Sequence, residues 1–134
     1  MQQRQFPISL LALIVFIAIV NWMAEVYYWY WRMRWFDMPM HFLGGIWLAS
    51  VALWWWYSRR ARPMPNFRGI ILTSLVSALG IGLLWEAFQA GLGIETAGHA
   101  SRLSGTLIDL LFDILGGTFA AIWAWIYSRT NNQS

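Results

Sequence analysis

Nearly the whole chain is taken up by four long apolar stretches, about residues 8–31, 39–57, 69–94 and 105–127, parted by short polar breaks. A helix needs about 20 residues to cross the hydrocarbon core of a bilayer. Each stretch comes close to that length, so the pattern predicts four membrane-spanning helices. The connections, 32–38, 58–68 and 95–104, are short, and a polar tail over 128–134 follows the last stretch. The expected architecture is all-α: an integral membrane four-helix bundle in one domain over 1–134, with no soluble domain or linker. Arg4 ahead of the apolar run from Ile8 to Val20 has the outline of a secretory leader, but no small-x-small cleavage site follows. The run continues through Trp22 into a Trp/Tyr cluster and is read as the first span.

Composition sharpens this reading. Hydrophobic residues make up 59% of the 134 and charged residues 11%, against about 25% charged in a soluble domain. A soluble protein this small has a large surface to cover with polar groups, and this chain lacks them. The pI of 9.8 does not indicate a nucleic-acid partner. The nine basic residues, all arginine, lie between apolar runs and form no stripe, so they read as topology signals and as contacts to membrane lipids. Arg4, Arg59, Arg60, Arg62, Arg68 and Arg129 fall on one side, against Arg32, Arg34 and Arg102 on the other. By the positive-inside rule the N- and C-termini are both cytoplasmic. Aromatic belts agree: Tyr27 to Trp31 with Trp35 mark the outer interface, and Trp54 to Tyr57, Trp123, Trp125 and Tyr127 the inner one. The absence of cysteine excludes disulfides, thiolate metal ligands and cysteine nucleophiles.

With that topology every acidic residue and both histidines lie in the outer half of the bilayer or its loops. Asn21 and Glu25 sit near the end of the first span, Asp37 and His41 open the second, Glu86 and Gln89 approach the end of the third, and Asp109 and Asp113 begin the fourth. Residues three or four apart share a helix face, so each pair points one way. At 1.5 Å per residue Glu86 and Asp113 both lie about 12 Å deep. Small residues continue these stripes: Gly44 and Gly45, Gly82, Gly116 and Gly117. Small residues let membrane helices approach closely, so the polar faces are expected to turn inward. The pattern Asp37-x3-His41-x2-Gly44-Gly45 recurs as Asp109-x3-Asp113-x2-Gly116-Gly117. It suggests a parallel repeat of two helical hairpins about an axis along the membrane normal, with the second and fourth helices facing each other.

Three blocks resemble the VanZ-like superfamily and its YjdF-like branch. They are Asp37-Met-Pro-Met-His41-Phe-Leu-Gly44-Gly45, then Leu84-Trp-Glu86-Ala-Phe-Gln89, then Thr106-Leu-Ile-Asp109-Leu-Leu-Phe-Asp113-Ile-Leu-Gly116-Gly117. Arg102 and Ser104 also resemble the family's approach to its last helix. Gly105 stands where the branch tends to carry an acidic residue, and Asp113 where VanZ-like proteins often carry asparagine. The resemblance implies a compact polytopic bundle in a bacterial inner membrane and an association with the cell envelope and glycopeptide resistance. It supplies no reaction.

Each polar residue has a plain reading beside a functional one. Asp37, before Met38-Pro39, has the pattern of an N-cap, and Ser104 that of a cap for the last helix. His41 could be a satisfied core histidine bonded to Asp37 or Glu86. A carboxylate at mid-depth costs roughly 2.5–3.5 kcal/mol on the lenient scales, which marks Glu86 and Asp113 as ion, proton or substrate sites. Asp37, His41, Glu86, Asp109 and Asp113 together form a donor set for Zn²⁺, Mn²⁺ or Mg²⁺. His41, Glu86 and Asp113 are the candidate catalytic groups. Arg102 and Gln89 are the candidate contacts to a substrate headgroup, and Glu95 and His99 are loop residues nearby. Two classes of function fit. One is an enzyme, metal-assisted, acting on a lipid or lipid-linked envelope substrate at the outer leaflet. The other is a non-catalytic role: a proton-coupled or ligand-binding transport module, which with four helices calls for a homo-oligomer, or an accessory subunit of a larger membrane complex whose polar network is structural. The chain has no HExxH, GxSxG or other sharp catalytic signature.

Overall fold

A computed structural model describes residues 5–60, 63, 66–93 and 102–131. Among these the regular structure is helical throughout: α1 (Ile8–Val26), α2 (Trp29–Arg32), α3 (Asp37–Leu53), α4 (Phe67–Leu92) and α5 (Arg102–Asn131), with α3 running on into a π-helical turn over Trp54–Arg59. Ile8–Val26, Phe67–Leu92 and Leu103–Thr130 are long and apolar enough to cross a membrane.

The helix ends depart from the hydrophobic pattern where backbone polar groups find local partners. The first helix does not continue to residue 31. It stops at Val26, and Tyr28 adopts a left-handed backbone (φ 57°) before the single turn of α2, a conformation rare outside glycine and asparagine. Buried Phe36 organises this reversal, with Trp29 and Tyr30 edge-on to its ring at 5.5 and 5.3 Å. Asp37 lies in the first turn of α3, after an N-cap at Phe36, and is not the cap itself; its charge there complements the helix dipole. On α4 the Asn66 side chain accepts a hydrogen bond from the Gly69 amide at 3.0 Å, so the helix starts at Phe67, and left-handed Gly93 (φ 68°) ends it. Ser104 lies inside α5, not before it, and the helix extends into the expected tail as far as Asn131. Ser128 Oγ and Thr130 Oγ1 donate back to the carbonyls of Trp125 and Tyr127.

Helix α3 is the centre of the molecule and packs on α5 most extensively, then on α4 and α1. Glycines set the first of these contacts. A Cβ on Gly45 would land on the Asp113 carbonyl oxygen, and one on Gly116 on the Phe42 carbonyl oxygen, so α3 and α5 touch backbone to backbone. Gly117 faces α4 instead, where an added Cβ would lie 3.1 Å from the Ala78 Cβ. Gly44 faces open space, so the two glycine pairs of the repeated motif do different work. The apolar core, Leu53, Ile70 and Ala121, lies near the arginine-bearing ends of α3, α4 and α5. Toward the other end the buried residues include Glu86, Asp109 and Asp113. On α1 only Ala24 is buried, and the Trp47 indole donates to the Leu10 carbonyl at 2.8 Å to hold that helix to α3.

The glycines yield a contrast. Gly116→Ala should lower stability by about 1–3 kcal/mol, as overpacking does, whereas Gly44→Ala should stay within about 0.5 kcal/mol of the parent. Thermal unfolding in detergent measures both, and equal effects would contradict the backbone contact.

Candidate functional site

One turn of α3 and one turn of α5 place Asp37 and His41 opposite Asp109 and Asp113. His41 Nδ1 lies 3.3 Å from Asp113 Oδ1. His41 Nε2 lies 3.7 Å from Asp37 Oδ1 and 3.9 Å from Asp109 Oδ2. The imidazole therefore has a carboxylate on each side. With Nδ1–H donating to Asp113, Nε2 faces Asp37 and Asp109, a charged donor when the ring is protonated and a lone pair for a cation when it is neutral. Asp113 in turn lies where only glycine fits on α4, since a Cβ on Gly82 would overlap its Oδ2.

Asp109 is fully buried, and neither of its oxygens has a hydrogen-bond partner among the described residues; Asp113 Oδ2 and Glu86 Oε1 are in the same position. An ionised carboxylate buried without a partner costs several kcal/mol. One imidazole, even protonated, cannot balance both Asp109 and Asp113 when both are ionised. The excess of buried negative charge calls for a proton or a cation.

One ligand atom each from Asp37, His41 and Asp109 lies within 4.8 Å of the others. Zn²⁺ holds its nitrogen and oxygen ligands at about 2.0–2.2 Å, so neighbouring ligands in a tetrahedral shell are about 3.4 Å apart. The separations from Nε2 are a few tenths of an ångström wider, within reach of side-chain rotation. With a metal on Nε2, Asp113 would be the carboxylate that orients the histidine from its Nδ1 side.

Glu86 sits at the edge of the cluster, within Coulombic reach of Asp109. Its Oε2 accepts a hydrogen bond from Thr106 Oγ1 at 2.7 Å, and it is not one of the three grouped ligands. Asp113 meets α4 at Gly82, one turn or about 6 Å from Glu86 along that helix, so the two carboxylates are not level with each other. Arg102 opens α5, but its side chain, like Glu95 and His99, lies outside the described residues.

A cavity of about 680 Å³ opens onto the cluster between α1, α3 and α4. Asn21, Glu25, Tyr30, Arg34, Asp37, His41, Gln89 and Asp113 line it toward one end, and Ile14, Ile17, Ala18, Trp47, Leu48 and Ile81 line its deeper part. Tyr30, in the turn outside the spans, donates to Asn21 Oδ1 at 2.6 Å. Burial, and then the charges of Asp37 and Glu25, push its phenol above its ordinary pKa, so it remains a neutral donor. Tyr30, Arg34 and Thr106 were not singled out by the sequence as site residues. Only Thr106 carries a local signal, the spacing of three that puts it on the Asp109 face.

A helical protein with three bilayer-length apolar helices and with Glu86, Asp109 and Asp113 buried between them is an integral membrane protein. The chain belongs to a family described as predicted membrane protein (DUF2238), which matches residues 1–130. Nothing among curated proteins or solved structures matches it.

His41 lies within 4 Å of a carboxylate oxygen of Asp37, Asp109 and Asp113, so His41→Ala should destabilise the fold by about 3–5 kcal/mol, as loss of one member of a buried pair does. Adding Asp113→Asn should restore part of that loss. A double-mutant cycle read by unfolding in detergent checks it, and strictly additive effects would contradict the pairing.

Proposed function

We propose that this protein binds a divalent cation through Asp37, His41 and Asp109 and uses it on the headgroup of a lipid or lipid-linked envelope substrate held in the adjoining cavity. The observation that carries the reading is the fully buried Asp109 carboxylate, without a hydrogen-bond partner among the described residues and facing the same His41 nitrogen as Asp37. Asp37 and His41 also line the cavity, so a cation held by the three would be open to it on that side, as in a catalytic rather than a structural metal site. A cation there would polarise a phosphoryl or acyl oxygen and lower the pKa of bound water.

The cavity supports the lipid part of the proposal. From Ile14 to Glu25 it follows α1 for about 16 Å, roughly half of a hydrocarbon core of about 30 Å. It is apolar at depth and polar at its end, the profile of one leaflet's lipid. Arg34, Gln89 and Tyr30 supply donors for a headgroup, and Arg102 begins the helix that follows. In this reading α3 with its π-helical turn is a fourth span of a four-helix bundle, both termini are cytoplasmic, and the site faces the outer leaflet of a bacterial inner membrane. The architecture is VanZ-like. A second reading rests on the partnerless oxygens of Glu86, Asp109 and Asp113: a proton-carrying network in an oligomeric transport module.

Elemental analysis of the protein in lipid nanodiscs, after incubation with Zn²⁺ or Mn²⁺, separates them. The expected result is about one divalent ion per chain, lost in Asp109→Asn and retained in Glu86→Gln, with chelator lowering the unfolding temperature. At a hundredfold excess over Kd the ion should add about 2.7 kcal/mol of stability. No metal in the parent protein would overturn the proposal, and pH-gradient-dependent flux in liposomes would then support the second reading.

A further inference from the structure

At the end of the molecule away from the carboxylates, a groove of about 470 Å³ runs between the close of α3 and the start of α4. Trp55 and Trp56 from the π-helical turn and Leu72 and Val76 from α4 form its walls. The hydroxyls beside it are already engaged. Ser77 Oγ donates to the Thr73 carbonyl at 2.6 Å, and Thr73 Oγ1 pairs with the Tyr57 hydroxyl at 3.1 Å. The groove thus offers a hydrocarbon surface with little left for a polar ligand to bind.

Its mouth is different. The Arg59 and Arg60 guanidinium groups lie over the rings of Trp55 and Trp56, at 5.8 and 4.8 Å. Stacking uses the flat face of a guanidinium and leaves its N–H edge for oxygen acceptors. From the opposite wall, exposed Arg68 shares a face of α4 with Leu72 and Val76, at successive intervals of four. Arg68 is in the first turn of α4, where the helix dipole is already positive and no acidic residue offsets it. The described carboxylates, Glu25, Asp37, Glu86, Asp109 and Asp113, all lie toward the other end of their helices.

We infer that this groove is a binding site for one anionic phospholipid of the leaflet on the arginine side. One acyl chain lies between Trp55, Trp56, Leu72 and Val76, and the phosphate is held by Arg59, Arg60 and Arg68. The π-helical turn is part of the site, because it carries both tryptophans and Arg59, and Arg60 follows as its C-cap. Such turns are frequent at functional positions. The site is independent of the metal proposal, sharing no residue with it.

Native mass spectrometry of the detergent-solubilised protein, titrated with phosphatidylglycerol or with phosphatidylcholine of the same chains, tests it. The parent should bind one phosphatidylglycerol with at least about tenfold preference, since each basic residue near an anionic headgroup contributes roughly a fivefold gain. Arg59→Gln/Arg60→Gln/Arg68→Gln should reduce the preference to about twofold or less, and the matching triple lysine variant should restore most of it. Ser77→Trp, which fills the groove and leaves the arginines in place, should weaken phosphatidylglycerol as well. Unfolding temperatures of all variants report whether each is folded. A preference that survives in the folded glutamine variant would overturn the headgroup assignment. Unchanged binding in folded Ser77→Trp, or equal binding of glycerol phosphate without a chain, would overturn the groove.

Discussion

His41 stands between two turns of carboxylates, and it can do so because α3 and α5 come into backbone contact through Gly45 and Gly116. A bulkier residue at either position would part the helices and carry Asp109 and Asp113 away from the imidazole. In a medium of low dielectric, a paired carboxylate is strongly held and an unpaired one is strongly disfavoured. Packing and electrostatics are therefore a single constraint at this crossing. The same glycines that admit close approach create a place where charge cannot be hydrated and must be matched by protons, by His41 or by a cation.

That constraint divides the molecule along its length. Where α3, α4 and α5 end among arginines, Leu53, Ile70 and Ala121 pack as an ordinary apolar core. Where the carboxylates gather, the interior is polar and opens onto the cavity beside α1. Gly44 belongs to that second region: lacking a side chain and facing open space, it contributes volume to the cavity. Helix α1 closes one wall with a single buried residue and one indole hydrogen bond, so the rigid frame of the site is α3, α4 and α5.

Much of this was legible in the sequence because it depends on period and on run length. The apolar stretches located α1, α4 and α5, and intervals of four paired Asp37 with His41 and Asp109 with Asp113. What escaped depends on neighbours distant in the chain or on exceptions to local preference. A tyrosine in a left-handed conformation breaks the first helix at residue 28 with no glycine to announce it. Asn66 was the cap of α4, yet its position among prolines and arginines hid it. Sequence also could not say that Gly45 is packed and Gly44 is not, since the two differ only in the direction they face. Glu86 was grouped with the other carboxylates by depth, but hydrogen bonding to Thr106 gives it a different neighbour.

The pairing of His41 with Asp113 joins residues 72 positions apart, and this has a consequence for how the protein is made. At roughly 5–20 residues per second of synthesis, the histidine emerges about 4–14 seconds before its partner. During that interval the first three helices can reach the bilayer, but the polar face of α3 has nothing on α5 to meet. A nascent chain halted before Asp113 would present to the insertion and surveillance machinery an imidazole and an aspartate on an otherwise apolar helix. Arrival of the last helix is thus the event that conceals them, and a chain lacking it carries its own mark of incompleteness.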